Sequence, residues 1–137
     1  MEWTRGEFTI NTDPELLDID VIHGYLCGSY WAAERKREVV ERSIKNSLNF
    51  GLYHEGRQVG FARVVTDYAT FYWLADVFIL EKYRGRALGR FLIETVTGYP
   101  ELFGLTGLLA TRDAHGLYTQ YGFTCPSDPR RLMWTRE

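Results

Sequence analysis

Apolar and aromatic residues dominate three segments in the middle of the chain, which predicts β-strands. Residues 50–54 and 58–65 carry this pattern on either side of Glu55-Gly56, which is a hairpin signal. A turn at residues 67–70 then leads into a longer apolar run, residues 71–80, which predicts a third antiparallel strand. Regular alternation along that run places Phe71, Trp73, Ala75, Val77 and Ile79 on one face, and Tyr72, Leu74, Asp76, Phe78 and Leu80 on the other.

Four other segments repeat their apolar residues every three or four positions, which is the period of an α-helix. The first begins at Asp18 or Asp20, and the second covers about residues 33–47. The third begins near Leu88, with apolar residues at four-residue spacing. The fourth carries apolar residues at 114, 117, 118 and 121 and ends at Gly122, which suits the left-handed position after a helix.

Short strands complete the predicted order of elements. We expect them at residues 8–10, at about residue 108, from Phe123 onward and, as a last strand, over residues 132–135. The order is strand, two helices, three antiparallel strands, helix, strand, helix and one or two strands. It predicts a single α/β domain over residues 1–137, with a mostly antiparallel central sheet of six or seven strands and about four helices.

A basic loop containing glycine connects the long strand to the third helix. Backbone N–H groups at the start of a helix have no intrahelical partner, and the helix dipole adds positive potential to that of three arginines, Arg84, Arg86 and Arg90. The loop therefore predicts a binding site for a pyrophosphate. It contains neither the lysine followed by Ser or Thr of a Walker loop nor the G-x-G-x-x-G of a dinucleotide fold.

Composition narrows the classes of partner. The chain has 137 residues, of which 45% are hydrophobic and 25% charged, and a net charge of −2. This balance is typical of one globular domain, and it argues against a nucleic-acid partner because no overall basic field is present. Two cysteines and three histidines show no metal-ligand spacing. We expect a cytoplasmic protein without a membrane span, since no apolar run approaches about 18 residues.

The basic loop resembles the Arg/Gln-x-x-Gly-x-Gly/Ala motif of the GNAT superfamily of N-acetyltransferases, with Arg84 in its first position and Gly89 in its last. Ala87 departs from the motif, because it stands where that family usually has its first glycine. A second segment, residues 108–123, is similar to a later part of the same family's core, with an A-x-x-L-Y motif on a short helix and a Gly-Phe pair after it. Together the resemblance covers about residues 48–135.

The resemblance implies a coenzyme and a set of residues that bind it. Acetyl-CoA is the expected cosubstrate, and no metal is expected. Backbone N–H groups near the end of the long strand would bind the pantetheine arm and the carbonyl oxygen, and the basic loop would bind the pyrophosphate. The implied coenzyme site consists of Val77, Phe78, Ile79, Arg84, Gly85, Arg86, Ala87, Leu88, Gly89, Arg90, Thr111, Asp113 and Tyr118.

Two residues are candidates for catalysis. Tyr118 matches the family's usual general acid, although a core tyrosine with a satisfied hydroxyl is the alternative. Asp76 is the odd member of an apolar strand, so it is expected either to deprotonate or orient the acceptor amine, or to pair with Arg63 or the backbone. His115 is a further candidate base that could instead face solvent. Tyr30, Trp31 and Arg35 would line the acceptor pocket, or the two aromatic residues would form a hydrophobic plug.

These features predict an enzyme that transfers an acetyl group from acetyl-CoA to a primary amine of a small molecule or peptide. The amine would attack the thioester directly. The alternative is a domain that binds the coenzyme as a sensor or regulator without transferring the acetyl group. The sequence does not identify the acceptor, and a homodimer is kept as one alternative for the oligomeric state.

Overall fold

The computed structural model describes residues 1–136, which form one six-stranded sheet and four α-helices. The strands follow one another across the sheet in chain order, and every neighbouring pair is antiparallel except β5 and β6, which are parallel. The strands are β1 (Glu2–Arg5), β2 (Phe8–Asn11), β3 (Leu48–His54), β4 (Arg57–Thr66), β5 (Phe71–Ile79) and β6 (Thr106–Leu108), and the helices are α1 (Ile19–Cys27), α2 (Arg37–Lys45), α3 (Leu88–Thr97) and α4 (His115–Thr119). Short 3₁₀ turns cover Pro14–Leu16, Glu81–Tyr83 and Pro129–Arg131.

The hairpin predicted around Glu55-Gly56 is confirmed. Both residues have positive φ, 51° and 78°, which is the backbone of the turn that matches the twist of antiparallel strands. The strands on either side pair from His54 and Arg57 to Leu48 and Val64. This hairpin and β5 form the centre of the sheet.

The first two helices are also confirmed, although α2 begins four residues later than its apolar stripe predicted. The side chain of Asp18 accepts a hydrogen bond from the Val21 amide and so caps α1. After α1, Ser29 Oγ donates to the Leu26 carbonyl and accepts from the Ala32 amide, at 2.7 and 3.1 Å. These bonds hold residues 29–35 in turns rather than in helix, and the turns direct this segment onto the sheet.

The sheet separates two hydrophobic cores. The larger lies on the side of α3 and α4, and the smaller lies under α1 and α2. Members of the larger core include Phe50, Leu52, Leu74, Phe91 and Leu92, and members of the smaller include Ile22, Leu26, Val40, Phe61 and Phe78.

The alternation predicted for β5 is wrong beyond Ala75, because the strand contains a β-bulge. Arg63 pairs with Ala75 and Phe61 pairs with Phe78, so the single residue between them on β4 opposes two residues on β5. One of these two is Asp76, whose φ of 53° lies in the left-handed region. The bulge reverses the parity of the strand, so Val77 packs on the larger core and Phe78 on the smaller.

The C-terminal strands predicted from Phe123 and over residues 132–135 are absent, since residues 123–136 contain no strand. Gly122 takes φ of 89°, and Phe123 packs against Tyr118 at 5.9 Å between ring centroids instead of joining the sheet edge. Prolines at 126 and 129 lack the N–H group that a strand ladder needs. The sixth strand is instead β1, a largely polar segment that pairs with β2 at the other edge.

Candidate active site

A cleft opens beside β5 where β6 ends. The two strands pair only from Phe71 with Thr106 to Trp73 with Leu108, which is the last residue of β6. The space between the unpaired part of β5 and the segment that follows β6, here called the splay cleft, has a volume of about 1,040 Å³. Eight side chains or backbone positions predicted for the site line it: Tyr30, Trp31, Arg35, Asp76, Val77, Thr111, Asp113 and Tyr118.

Asp76 lies at the centre of a buried polar network on one wall of the splay cleft. Its Oδ2 accepts hydrogen bonds from Arg35 Nη1 and Arg63 Nε, both at 2.8 Å, and its Oδ1 accepts one from Trp31 Nε1 at 3.1 Å. The pairing with Arg63 that the sequence left open is therefore confirmed. The bulge makes this network possible, because it directs the Asp76 side chain to the sheet face that carries α1 and α2, where Trp31 donates to it.

The segment after α1 and the segment after β6 meet across the cleft. The hydroxyl of Tyr30 accepts a hydrogen bond from the Arg112 amide at 3.2 Å, and the Arg112 guanidinium lies 3.8 Å from the centre of the Tyr30 ring. Trp31 packs edge-on against Tyr30, with ring centroids 5.2 Å apart. Both rings keep substantial exposure, 52% and 38%, so they form an open wall of the cleft rather than a buried plug.

Tyr118 lies on α4 and faces the same cleft from the side of the larger core. Its hydroxyl makes no hydrogen bond to any residue from 1 to 136, so it is not a core tyrosine with a satisfied hydroxyl. Burial is the main reason that the pKa of Tyr118 is raised to about 12, with smaller contributions from Tyr30 and Asp113. The phenol is therefore protonated at neutral pH, and its O–H group can donate a hydrogen bond to a ligand.

The basic loop lies between the end of β5 and the start of α3. Within residues 1–136, the amides of residues 85–90 donate no backbone hydrogen bond, so they are free to bind an anion. Arg84 is held in place, because its Nε donates to the Ile79 carbonyl at 3.3 Å and its Nη2 donates to the Tyr25 hydroxyl at 2.8 Å. The Arg86 guanidinium lies 5.4 Å from the centre of the Tyr83 ring.

Ala87 takes a left-handed backbone, with φ of 58°, immediately before α3. Glycine adopts this conformation without strain, whereas alanine does so at a cost of about 1–2 kcal/mol. The left-handed backbone explains why a glycine suits this position of the loop. The alanine that replaces the motif's glycine therefore adds strain at the start of α3.

Tyr25 connects the basic loop to the aromatic wall of the cleft. Its ring stacks on Phe78 at 4.2 Å between centroids and lies 6.4 Å from Trp31, while its hydroxyl accepts the bond from Arg84. Sequence reasoning missed this residue because the contact with Arg84 spans 59 positions along the chain.

Sequence reasoning also missed side chains that line the cleft itself, including Trp73, Arg112, Trp134 and Arg136. Arg63 was considered only as a structural partner of Asp76, although a charge in the middle of an apolar strand was a usable signal. Thr111 accepts a hydrogen bond from the Ala114 amide at 3.0 Å, which supports the start of α4. His115 is exposed and does not line the cleft.

Residues 1–136 contain no group of three or more His, Cys, Asp or Glu side chains arranged to hold a metal ion. No helix among them is long and apolar enough to cross a membrane.

Comparison with known proteins identifies the family to which this chain belongs. The model of the acetyltransferase (GNAT) domain matches residues 45–125. A protein of Gibberella zeae whose name assigns it to the acetyltransferases without a substrate is 32% identical over a match that covers 73% of this chain and 70% of that one. A crystal structure of a GNAT-family protein from Xanthomonas campestris pv. campestris is 47% identical, covers 95% of this chain and 93% of its own, and superimposes with a TM-score of 0.91.

The chain therefore belongs to the GNAT superfamily of N-acetyltransferases. A further structure, that of a Clostridium acetobutylicum protein assigned to the acetyltransferases and bound with acetyl-CoA, shares the fold at 10% identity, with a TM-score of 0.67 over 88% of this chain and 92% of its own. Membership supports acetyl transfer as the general class of chemistry, with acetyl-CoA and an acceptor as its partners.

Proposed function

We propose that this protein transfers the acetyl group of acetyl-CoA to a primary amine of a small molecule or peptide by direct attack of the amine on the thioester. The observation that carries the proposal is the splay cleft itself. It brings an unbonded, protonated Tyr118 hydroxyl and the predicted acceptor side chains to the same cavity, beside a strand that ends in the basic loop.

Acetyl-CoA would bind along the edge of β5 beyond Trp73, where β6 no longer pairs with it. Its pyrophosphate would accept hydrogen bonds from the free amides of residues 85–90, at the positive end of α3. The pantetheine arm would follow Val77, Phe78 and Ile79, whose backbone has no strand partner on the β6 side among residues 1–136. Thr111 and Asp113 would face the arm from the opposite segment.

The acceptor amine must lose a proton before it attacks, because a lysine-like ammonium has a pKa near ~10.4 and no lone pair. Each oxygen of Asp76 already accepts a hydrogen bond, so we propose that Asp76 acts as a positioning residue that holds Arg35, Arg63 and Trp31. The proton would leave through water in the open cleft. Positive charge nearby favours the neutral amine and so assists this step.

In the transfer itself, the C–N bond forms, the C–S bond breaks and the coenzyme leaves as a thiolate, while the nitrogen loses a second proton to the water of the open cleft. The pKa of a thiol is about 8.5, well below that of Tyr118 at about 12. Full proton transfer from Tyr118 to the sulfur would therefore be uphill. We propose that the Tyr118 hydroxyl donates a hydrogen bond to the departing sulfur and stabilises its charge without losing its own proton.

The test is release of free thiol from acetyl-CoA in the presence of a broad set of amines, measured with a thiol reagent. We expect release that depends on both the protein and the amine. Coenzyme binding without release for any amine would instead support the sensor or regulatory domain. Light scattering of the same sample would decide between a monomer and a homodimer.

A further inference from the structure

Two arginines share a single carboxylate in the splay cleft. Arg35 and Arg63 both donate to Asp76 Oδ2, and no other acidic side chain among residues 1–136 forms an ion pair with either guanidinium. Their side chains are only 24% and 13% exposed. One positive charge is therefore left without a partner in a partly buried site, where it is more costly than in water.

The same guanidinium groups keep hydrogen-bond donors for a ligand. Arg63 Nη1 donates to Ser47 Oγ at 3.1 Å, but Arg63 Nη2 and both Nε and Nη2 of Arg35 donate to no residue from 1 to 136. Both side chains line the cleft. The planar fork of an arginine matches the two oxygens of a carboxylate, so these donors suit a ligand that carries one.

The rest of the cleft adds positive charge and aromatic surface. Its charged lining residues are the four arginines at positions 35, 63, 112 and 136 and the two aspartates at 76 and 113. Trp73 and Trp134 pack edge-on at 5.9 Å between centroids and continue the wall that Tyr30 and Trp31 begin. Such walls bind an apolar or aromatic body.

We propose that the acceptor is an amine that also carries a carboxylate, which Arg35 and Arg63 bind while the aromatic wall holds its apolar body. The proposal rests on the acetyl transfer proposed above and names its substrate class. We expect polyamines to be poor acceptors on the same grounds, because the cleft already holds surplus positive charge and would repel a second ammonium group.

The experiment compares matched acid and amide acceptors. The panel contains amino acids with small, aliphatic and aromatic side chains, 4-aminobenzoate, the amide of each, spermidine and O-phosphoethanolamine. For each compound, kcat/KM is obtained from thiol release, and binding is measured separately by thermal shift at saturating CoA. We expect at least one acid to be preferred over its own amide by about tenfold to a hundredfold, since a hydrogen bond to a charged group contributes about 1.5–3 kcal/mol.

Variants assign that preference to the arginines. Arg35→Gln should bring the acid-to-amide ratio of kcat/KM close to one, and Arg35→Lys should restore only part of it because the fork is lost. Arg42→Gln is the matched control, since Arg42 is exposed on α2 and makes no ion pair with residues 1–136. The ratio compares two acceptors on one protein sample, so a loss of folded protein cancels.

The outcomes distinguish failure of the carboxylate site from failure of acetyl transfer. Binding of an acid in preference to its amide without any thiol release would support the carboxylate site and contradict acetyl transfer. Thiol release with amides equal to acids, or with spermidine or O-phosphoethanolamine alone, would overturn the carboxylate site and leave acetyl transfer standing. Binding of no acid in the panel would also overturn it.

Discussion

Burial keeps the hydroxyl of Tyr118 protonated in the splay cleft. Because the hydroxyl is protonated and unbonded, Tyr118→Phe removes a hydrogen-bond donor and little else. We expect kcat to fall by about 10- to 1,000-fold, the range for groups that stabilise charge in a transition state, with coenzyme affinity nearly unchanged. Single-turnover kinetics and coenzyme titration measure the two quantities separately.

The matched control for this variant is Tyr121→Phe, because Tyr121 follows the same helix but does not line the splay cleft. It should retain wild-type turnover. If Tyr118→Phe instead abolished coenzyme binding and left turnover per bound coenzyme intact, the role of Tyr118 would be structural.

The Asp76 carboxylate accepts hydrogen bonds from three side chains of the splay cleft, those of Trp31, Arg35 and Arg63. Asp76→Asn keeps the size of the side chain but removes the charge that pairs with Arg35 and Arg63. We expect KM for the amine to rise by about tenfold or more and acetyl-CoA to bind as before, because hydrogen bonds to charged groups contribute about 1.5–3 kcal/mol.

The pH dependence of kcat/KM separates positioning from proton abstraction by Asp76. A positioning residue leaves the shape of the profile unchanged while the whole curve is lowered. Loss of the acidic limb in Asp76→Asn would show that the carboxylate acts as the base.

Ala87 stores backbone strain in the basic loop, immediately before α3. Ala87→Gly relieves a left-handed alanine but adds conformational freedom to the unfolded chain, so the two effects on stability largely cancel, to within about 1 kcal/mol. Coenzyme affinity should stay the same or increase, because the methyl group no longer limits approach of the backbone to the pyrophosphate. Isothermal titration of both proteins with acetyl-CoA checks this, and a large loss of affinity would show that the pyrophosphate binds elsewhere.

We propose that the basic loop and the first turn of α3 act together as one anion site. At a hundred times its dissociation constant, acetyl-CoA should stabilise the fold by about 2.7 kcal/mol and raise Tm by several degrees. Acetyl-pantetheine, which lacks the pyrophosphate, should raise Tm much less at the same concentration. Equal shifts for the two compounds would argue against the loop as the pyrophosphate site.

Elements with a local signal could be predicted from the sequence. The hairpin depends on Glu55 and Gly56, and α1 depends on the cap at Asp18, so each is visible within a few residues. The bulge at Asp76 has no such signal, because it depends on the register between β4 and β5. For the same reason, strands at the two ends of the chain were misjudged, since an edge strand forms only if a partner is present.

At the scale of the whole molecule, the candidate site is an assembly of long-range contacts. The motifs identified the basic loop and Tyr118 because those residues are contiguous with recognisable neighbours. The bond between Tyr30 and Arg112 spans 82 positions, and that between Trp31 and Asp76 spans 45. Only the folded sheet brings these segments together, so the proposed acceptor pocket could be suspected from the sequence but its hydrogen-bond network could not be derived.

Buried tyrosines should also set the alkaline limit of the whole fold. Burial is the main reason that the pKa of Tyr53 and that of Tyr118 are raised to about 12, and burial also raises the pKa of Tyr72. Unfolded tyrosine titrates near about 10, so the folded state retains protons that the unfolded state loses. Their contribution to stability is therefore complete below about pH 10 and is lost as the pH rises towards about 12.

Tyr53→Phe tests this dependence without touching the splay cleft. The Tyr53 hydroxyl is buried and has no hydrogen-bond partner among residues 1–136, so the variant should be as stable as wild type or up to about 1 kcal/mol more stable at pH 8. Above pH 10 the free energy of unfolding of the variant should fall less steeply with pH than that of wild type, and the two slopes should differ by up to about 1.4 kcal/mol per pH unit. Tyr68→Phe, at an exposed ring, is the control and should follow wild type. Denaturant unfolding at pH 8, 10 and 11 gives the slopes, and parallel curves for wild type and Tyr53→Phe would show that ionisation of this tyrosine does not limit the fold.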